Sequence, residues 1–191
     1  VEESKQLLTR AQDKSRELLA YLGEVRAKNQ EAKDQLNAVQ EMDGRWERLR
    51  MIMDSGATVT VVPPSVGKLY QVTESPASKA GVEYTVANGD SLPNLGQKML
   101  PLVTAEGTMR GMLAQVANVT DGLQSIRNMY NTGHVVIFDG PESYCVNKFT
   151  GEVNEITDNG TNYTMDAWVC PPEELGTEAE LVAAGFIGQH P

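Results

Sequence analysis

Three consecutive residues, Asp54, Ser55 and Gly56, are the strongest candidates for a catalytic site in this 191-residue chain. Two carboxylates held about 3 Å apart cannot both ionise, so they share one proton. One can then act as a base on a water molecule while the other acts as an acid on a carbonyl, as peptide hydrolysis requires. Ser55 is a candidate to lock such a loop through its hydroxyl, and Gly56 lets backbone N–H groups approach the carboxylate. The bare tripeptide also fits an ordinary surface turn, so its surroundings must decide between the two.

Apolar segments on both sides of the tripeptide indicate a strand–loop–strand unit. Residues 51–53 are apolar, and residues 58–62 form an unbroken β-branched run that favours a strand. Pro63 and Pro64 stop this second run. We therefore expect Asp54 on a tight loop between two buried strands, which is more specific than an exposed turn.

The remainder of residues 45–170 reads as short strands separated by turns, typical of a mainly β, barrel-like domain. The expected strands cover residues 83–87, 97–104, 108–118, 134–138, 144–147 and 162–169. A helical turn is predicted at residues 123–130. Residues 171–191 read as a loose acidic tail with one short helix at residues 178–184.

Residues 1–44 predict one long amphipathic α-helix in front of this domain. They are rich in strong helix formers, and Asp43-Gly44 provides an end. Apolar and small residues recur at alternating spacings of three and four, at Leu8, Ala11, Ser15, Leu18, Leu22, Val25, Asn29, Ala32, Leu36 and Val39. This 3.5-residue period is typical of a coiled coil, in which Asn29 would select a two-stranded register. The same pattern also fits a helix that lies on its own domain or on a larger partner protein.

Charge and composition disfavour several classes of function. Residues 1–50 carry ten basic and ten acidic side chains, so the whole net charge of −10 falls on residues 51–191. An acidic surface repels phosphate backbones, which argues against nucleic-acid binding. No apolar run is long enough to span a bilayer. The chain has two cysteines and two histidines and no CxxC pair, which argues against a metal site. The low cysteine use favours a reducing, intracellular compartment.

The stretch from Met51 to about Val169 resembles the aspartic protease of copia-type retrotransposon polyproteins. Asp54-Ser55-Gly56-Ala57 matches the catalytic motif of that retropepsin-like family. Residues 86–96, V-A-N-G-D-S-L-P-N-L-G, are similar to its "ADG…LP.LG" segment, which supplies a flap-like hairpin. Residues 123–126 (L-Q-S-I) stand where the family has an "LLSV"-like stretch, with Gln124 at an apolar position. Residues 133–139 and 144–151 resemble its "G..VVFD" strand and "I.NK.TGE" hairpin.

The resemblance implies a closed β barrel acting as a homodimer, in which each subunit contributes one Asp54. Asn88, Gly89 and Asp90 would form the flap over the bound polypeptide substrate. No metal or cofactor is implied, because the nucleophile is water. The substrate class would be the protein's own polyprotein.

A second interpretation is a domesticated, catalytically silent protease fold. In that case Asp54 stays unpaired, and the N-terminal helix docks the chain onto a helical protein within a larger assembly. A dimer with acid-dependent peptidase activity favours the first interpretation, and a strict monomer or a fixed heteromeric partner favours the second.

Overall fold

The computed structural model describes residues 45–85 and 89–175, together with scattered positions between residues 6 and 34. Those scattered positions are helical. Nearly all of the expected heptad seam lies outside the described residues, as do Asn88 and the short helix expected at residues 178–184. Among the helices of the described ranges, none combines the length and the apolar character that crossing a membrane requires.

Six strands form a closed barrel, which confirms the expected mainly β class. Strands β1 and β12 pair with each other and so close the sheet. The parallel pairs are β1–β7 and β2–β6, and the remaining neighbours are antiparallel. In order around the barrel the strands are β1 (Glu47–Asp54), β7 (Gly122–Ser125), β2 (Val61–Val62), β6 (Met109–Val116), β5 (Gly96–Thr104) and β12 (Tyr163–Val169).

Alternation along the strands fills the barrel. In β1 the side chains of Leu49, Met51 and Met53 are buried, while Arg48 and Arg50, which alternate with the first two of them, are exposed. This period of two is what a strand with one apolar face requires. The barrel core is a single cluster of buried residues: Leu49, Met51, Val62, Leu100, Leu102, Met112, Ala114, Val116, Ala167 and Val169.

Smaller elements are attached to the barrel. A three-stranded sheet is formed by β8 (His134–Ile137), β9 (Tyr144–Asn147) and β10 (Val153–Glu155), and a hairpin by β3 (Glu83–Thr85) and β4 (Ser91–Pro93). Strand β11 (Thr157–Asp158) pairs with the start of β12. Within residues 45–85 and 89–175, the α-helices are α1 (Pro76–Lys79) and α2 (Ile126–Asn131). Two 3-10 helices in these ranges cover Gly140–Glu142 and Pro172–Glu174. The second of these is tied to the barrel, since Glu174 accepts a hydrogen bond from the indole N–H of Trp46.

Lys98 on β5 is buried at 3 % exposure but is fully partnered. Its Nζ donates to the carbonyl oxygens of Pro64, Val66 and Gly67 at 3.0, 2.6 and 3.2 Å. Burial lowers the pKa of this ammonium, and the negative charge of Glu47 opposes that effect. The three carbonyl contacts hold the segment that follows β2 against the barrel.

Two expectations about local structure were wrong. Of residues 58–62, only Val61 and Val62 are in a strand, because the residues before them belong to the loop that follows Asp54. Of residues 123–130, the first three continue strand β7, since Leu123 pairs with Ile52 on one side and Val61 on the other. The helix begins only after Ser125, whose side chain caps it by accepting from the N–H of Asn128.

Candidate active site

Asp54 is the last residue of β1, and the loop after it leads to β2. Strand β7 lies between β1 and β2, parallel to the first and antiparallel to the second. In this register Asp54 is paired with Ser125. The Asp54 loop is therefore closed on one side by a strand that comes from much later in the chain.

One oxygen of the Asp54 carboxylate is held by backbone donors. Oδ1 accepts hydrogen bonds from the N–H groups of Gly56 at 2.7 Å and Ala57 at 3.1 Å. Two N–H donors on one oxygen fix the orientation of the carboxylate. Within the described residues Oδ2 makes no hydrogen bond, so it is available to a water molecule or to a second carboxylate.

Gly56 makes this close grip possible. A Cβ atom at position 56 would lie 3.3 Å from Asp54 Oδ1, which is tighter than ordinary van der Waals contact. Ser55 and Gly56 are exposed and Asp54 is half-buried. The carboxylate thus lies near the surface of a single chain, in a loop whose N–H groups at Gly56 and Ala57 point at it.

The hydroxyl group that ties down this loop is not that of Ser55. Ser55 is exposed, and in the described part of a single chain its side chain has no hydrogen-bond partner. Ser125, which is completely buried, instead donates its Oγ–H to the carbonyl oxygen of Ala57 at 2.7 Å. Sequence reasoning noted the stretch around Ser125 but gave it no role at the site.

Thr60 and Gln124 complete the support of the loop. Thr60 is 2 % exposed, and its Oγ1 lies 3.3 Å from the Ser125 N–H and 3.2 Å from Gln124 Nε2. The polar side chain of Gln124, at a position where the sequence resemblance leads one to expect an apolar residue, is therefore half-buried with a partner. Only the pairing of β7 with β2 brings residues 60 and 124 together, so no local signal could have predicted this contact.

The expected flap corresponds to the β3–β4 hairpin. Gly89 has a φ of +90°, which glycine adopts without strain, and Asp90 is exposed. Asn94 anchors the base of the hairpin: its Nδ2 donates to Tyr84 Oη and to Gln115 Oε1, both at 2.8 Å. The hairpin is thus fixed to the barrel at its base, while Asn88 at the turn lies outside the described residues.

An ionic cluster stabilises the outer face of β1. Arg50 donates to both oxygens of Asp166 at 2.8 and 2.9 Å, and Arg48 donates to one of them at 2.9 Å. Burial opposes ionisation of Asp166, but the hydrogen bonds and charges of the two arginines outweigh it, so the pKa of this carboxyl lies below its usual value. With both oxygens paired, Asp166 is a structural carboxylate.

A cavity of about 500 Å³ lies behind the Asp54 loop. Thr60 and Gln124 line it on the loop side, and His134 and Cys145 are also in its wall. Burial raises the pKa of the Cys145 thiol to about 12, so this thiol is a small buried apolar group and not a nucleophile. Within the two described ranges and the scattered helical positions, no three His, Cys, Asp or Glu side chains are grouped to hold a metal ion.

No protein family matches the sequence, and no curated protein does. Support for a function therefore comes from the geometry of the Asp54 loop and from the resemblance of its motifs.

Proposed function

We propose that this chain is an aspartic endopeptidase of the retrotransposon type, active as a homodimer. The observation that carries the proposal is the Asp54 carboxylate, with one oxygen fixed by two backbone N–H groups and the other unbonded within the described residues. A fixed inner oxygen and an accessible outer oxygen are what each half of a proton-sharing carboxylate pair requires.

The chain supplies one Asp-Ser-Gly tripeptide, so a pair of such loops needs two chains. The exposure of Ser55 and Gly56 supports this arrangement, because the loop can be approached by an identical loop from a second copy. The shared proton leaves one carboxylate as the base that takes a proton from water. The other is the acid that protonates the carbonyl oxygen of the scissile peptide bond.

The substrate is a polypeptide, and the β3–β4 hairpin with Asn88, Gly89 and Asp90 covers it. The hairpin's anchored base supports this role, since a flap must close over the site without detaching from the barrel. The proposed reaction needs no metal or cofactor, because paired carboxylates activate the water themselves. The silent-subunit interpretation predicts the same fold without cleavage.

Substitution of Asp54 by Asn tests the proposal. Purified full-length chains are incubated at mildly acid pH with a peptide library of known sequence, and new termini are read by mass spectrometry. We expect cleavage by the wild-type chain, inhibition by a peptide that mimics the tetrahedral intermediate, and at least about a hundredfold loss in Asp54→Asn.

Asp158→Asn is the matched control. Asp158 is exposed, and its Oδ1 accepts from the N–H of Gly160 at 2.8 Å, the same local hydrogen bond that Asp54 makes with Gly56. Asparagine can keep that bond in both variants, so only the loss of a catalytic carboxylate separates them. Cleavage that persists in Asp54→Asn, or a wild-type dimer that cleaves nothing, would contradict the proposal.

A further inference from the structure

We propose that Ser125 is a positioning residue that holds the Asp54 carboxylate in place through the backbone of Ala57. This inference depends on the proposed function for its catalytic consequence, but the hold itself is a structural property of the chain.

The first step is the use of the Ser125 hydroxyl. A hydroxyl has one proton to donate and lone pairs with which to accept. Ser125 Oγ donates to the Ala57 carbonyl at 2.7 Å and accepts from the Asn128 N–H at 3.2 Å. At 0 % exposure it has no contact with bulk water, so loss of the hydroxyl leaves the Ala57 carbonyl without this partner in a dry environment.

The second step connects Ala57 to Asp54. The N–H of Ala57 is one of the two donors to Asp54 Oδ1. The carbonyl that Ser125 holds lies on the other side of the Ala57 Cα from this N–H. The Ser125 contact therefore restrains the rotation of residue 57 that would turn its N–H away from Asp54 Oδ1. The Gly56 N–H precedes it in the same turn and contacts the same oxygen.

The third step is the rigidity of Ser125 itself. It ends β7, where it is paired with Asp54, and its N–H lies 3.3 Å from the buried Thr60 Oγ1. It is also the N-cap of α2. The hydroxyl that holds the Asp54 loop is therefore fixed by a strand on one side and a helix on the other, which suits a group that must hold a reacting carboxylate to a fraction of an ångström.

The experiment compares three variants of the full chain. Ser125→Ala removes the hydroxyl, and Ser125→Thr keeps it. Thr132→Val weakens α2 from its other end, where the Thr132 hydroxyl donates to the carbonyl oxygens of Asn128 and Met129, both at 3.0 Å. Thr132→Val therefore controls for loss of helix stability without altering the contact at Ala57.

Amide hydrogen exchange, followed by NMR, measures the hold without requiring activity. We expect exchange at the Gly56 and Ala57 N–H groups to be about tenfold faster in Ser125→Ala, with exchange in the core of β5 unchanged. Ser125→Thr and Thr132→Val should leave both groups near the wild-type rate. Unchanged exchange at Gly56 and Ala57 in a folded Ser125→Ala chain overturns the inference, and so does an equal rise in Thr132→Val.

Kinetics measure the catalytic consequence. If the wild-type chain cleaves peptides, kcat in Ser125→Ala should fall at least about tenfold with KM little changed, and Ser125→Thr should restore it. A folded Ser125→Ala chain with wild-type kcat overturns the positioning role. If the wild-type chain cleaves nothing, the proposed function fails, while the exchange measurement still decides whether Ser125 holds Asp54.

Discussion

At the scale of single residues, Asp54 differs from Asp166 and Asp158 in what surrounds its two carboxylate oxygens. Asp166 has both oxygens occupied by arginines, and Asp158 receives one backbone N–H in an exposed turn. Asp54 combines two backbone donors on Oδ1 with an Oδ2 that is unbonded within the described residues. Glu47 also accepts two backbone N–H groups on one oxygen, so this arrangement supports the proposed role of Asp54 only together with its place on the loop between β1 and β2.

Much of this site follows from local sequence. Asp54 and Gly56 were expected at a tight turn because an Asp side chain readily accepts N–H donors two and three residues later. The supporting residues Ser125, Thr60 and Gln124 were not expected, since each depends on a partner distant along the chain. Gln124 stands where the resemblance leads one to expect an apolar residue, and its contact with Thr60 gives the physical reason why a polar side chain is accommodated there.

His134 gives a prediction about pH at the same scale. Burial is the main cause that lowers the pKa of its imidazole, and the positive charge of Arg110 lowers it further. The hydrogen bond to the Met129 carbonyl and the negative charge of Glu152 oppose this shift. A histidine with a lowered folded pKa contributes stability that is complete above its unfolded value, about 6.5, and is lost as the pH falls through the folded value. We therefore expect the melting temperature to fall on acidification below about pH 6.5, and to fall less steeply in His134→Gln.

Thermal unfolding of both chains between about pH 7 and pH 5 checks this expectation. His190 is present in both, so its contribution cancels. Asp166 does not interfere, because a lowered carboxyl pKa costs stability only as the pH falls below its unfolded value of about 3.8. Parallel melting curves for the two chains across this range would show that His134 does not contribute.

At the scale of elements, the β3–β4 hairpin and the start of β5 depend on a close backbone contact. Gly96, the first residue of β5, has a φ of +132°, and a Cβ there would lie 2.4 Å from the carbonyl oxygen of Thr73. Thr73 and Gln97 form a bridge beside it. Glycine is therefore required here by both backbone conformation and space.

Gly96→Ala should lower the free energy of unfolding by about 2 kcal/mol or more. The added methyl group must displace backbone at Thr73 as well as strain position 96. Gly81→Ala is the matched control, since Gly81 also has a positive φ (+65°) but open space around its Cβ position. Urea denaturation of the two variants separates these effects, and equal losses would mean that the contact with Thr73 contributes nothing.

Several strands could be predicted from their residues. Strands β5, β6, β8, β9 and β12 lie close to their expected positions because apolar and β-branched runs bounded by turns are local signals. Strand β7 differs from the predicted helical turn, because four residues carry too little periodicity to distinguish the two. Its pairing with both β1 and β2 decides its conformation.

At the scale of the whole molecule, the proposed activity depends on the association of two chains. We expect light scattering across a concentration series to show a species of twice the 20.8 kDa chain mass. Activity per chain should rise with concentration over the same range, because only the dimer holds two Asp54 loops. Asp54→Asn should associate as the wild type does. A strict monomer at high concentration would leave Asp54 unpaired and favour the silent-subunit interpretation.

The mainly β class, the loop after Asp54 and the positions of β5, β6, β8, β9 and β12 could be predicted from the sequence, because these depend on neighbouring residues along the chain. The place of β7 between β1 and β2 and the contact of Ser125 with Ala57 come from the closed barrel, since parallel strands are joined by long connections that leave no local signal. The barrel also fixes which hydroxyl is buried beside the Asp54 loop. That choice depends on which side chains the closed barrel excludes from water.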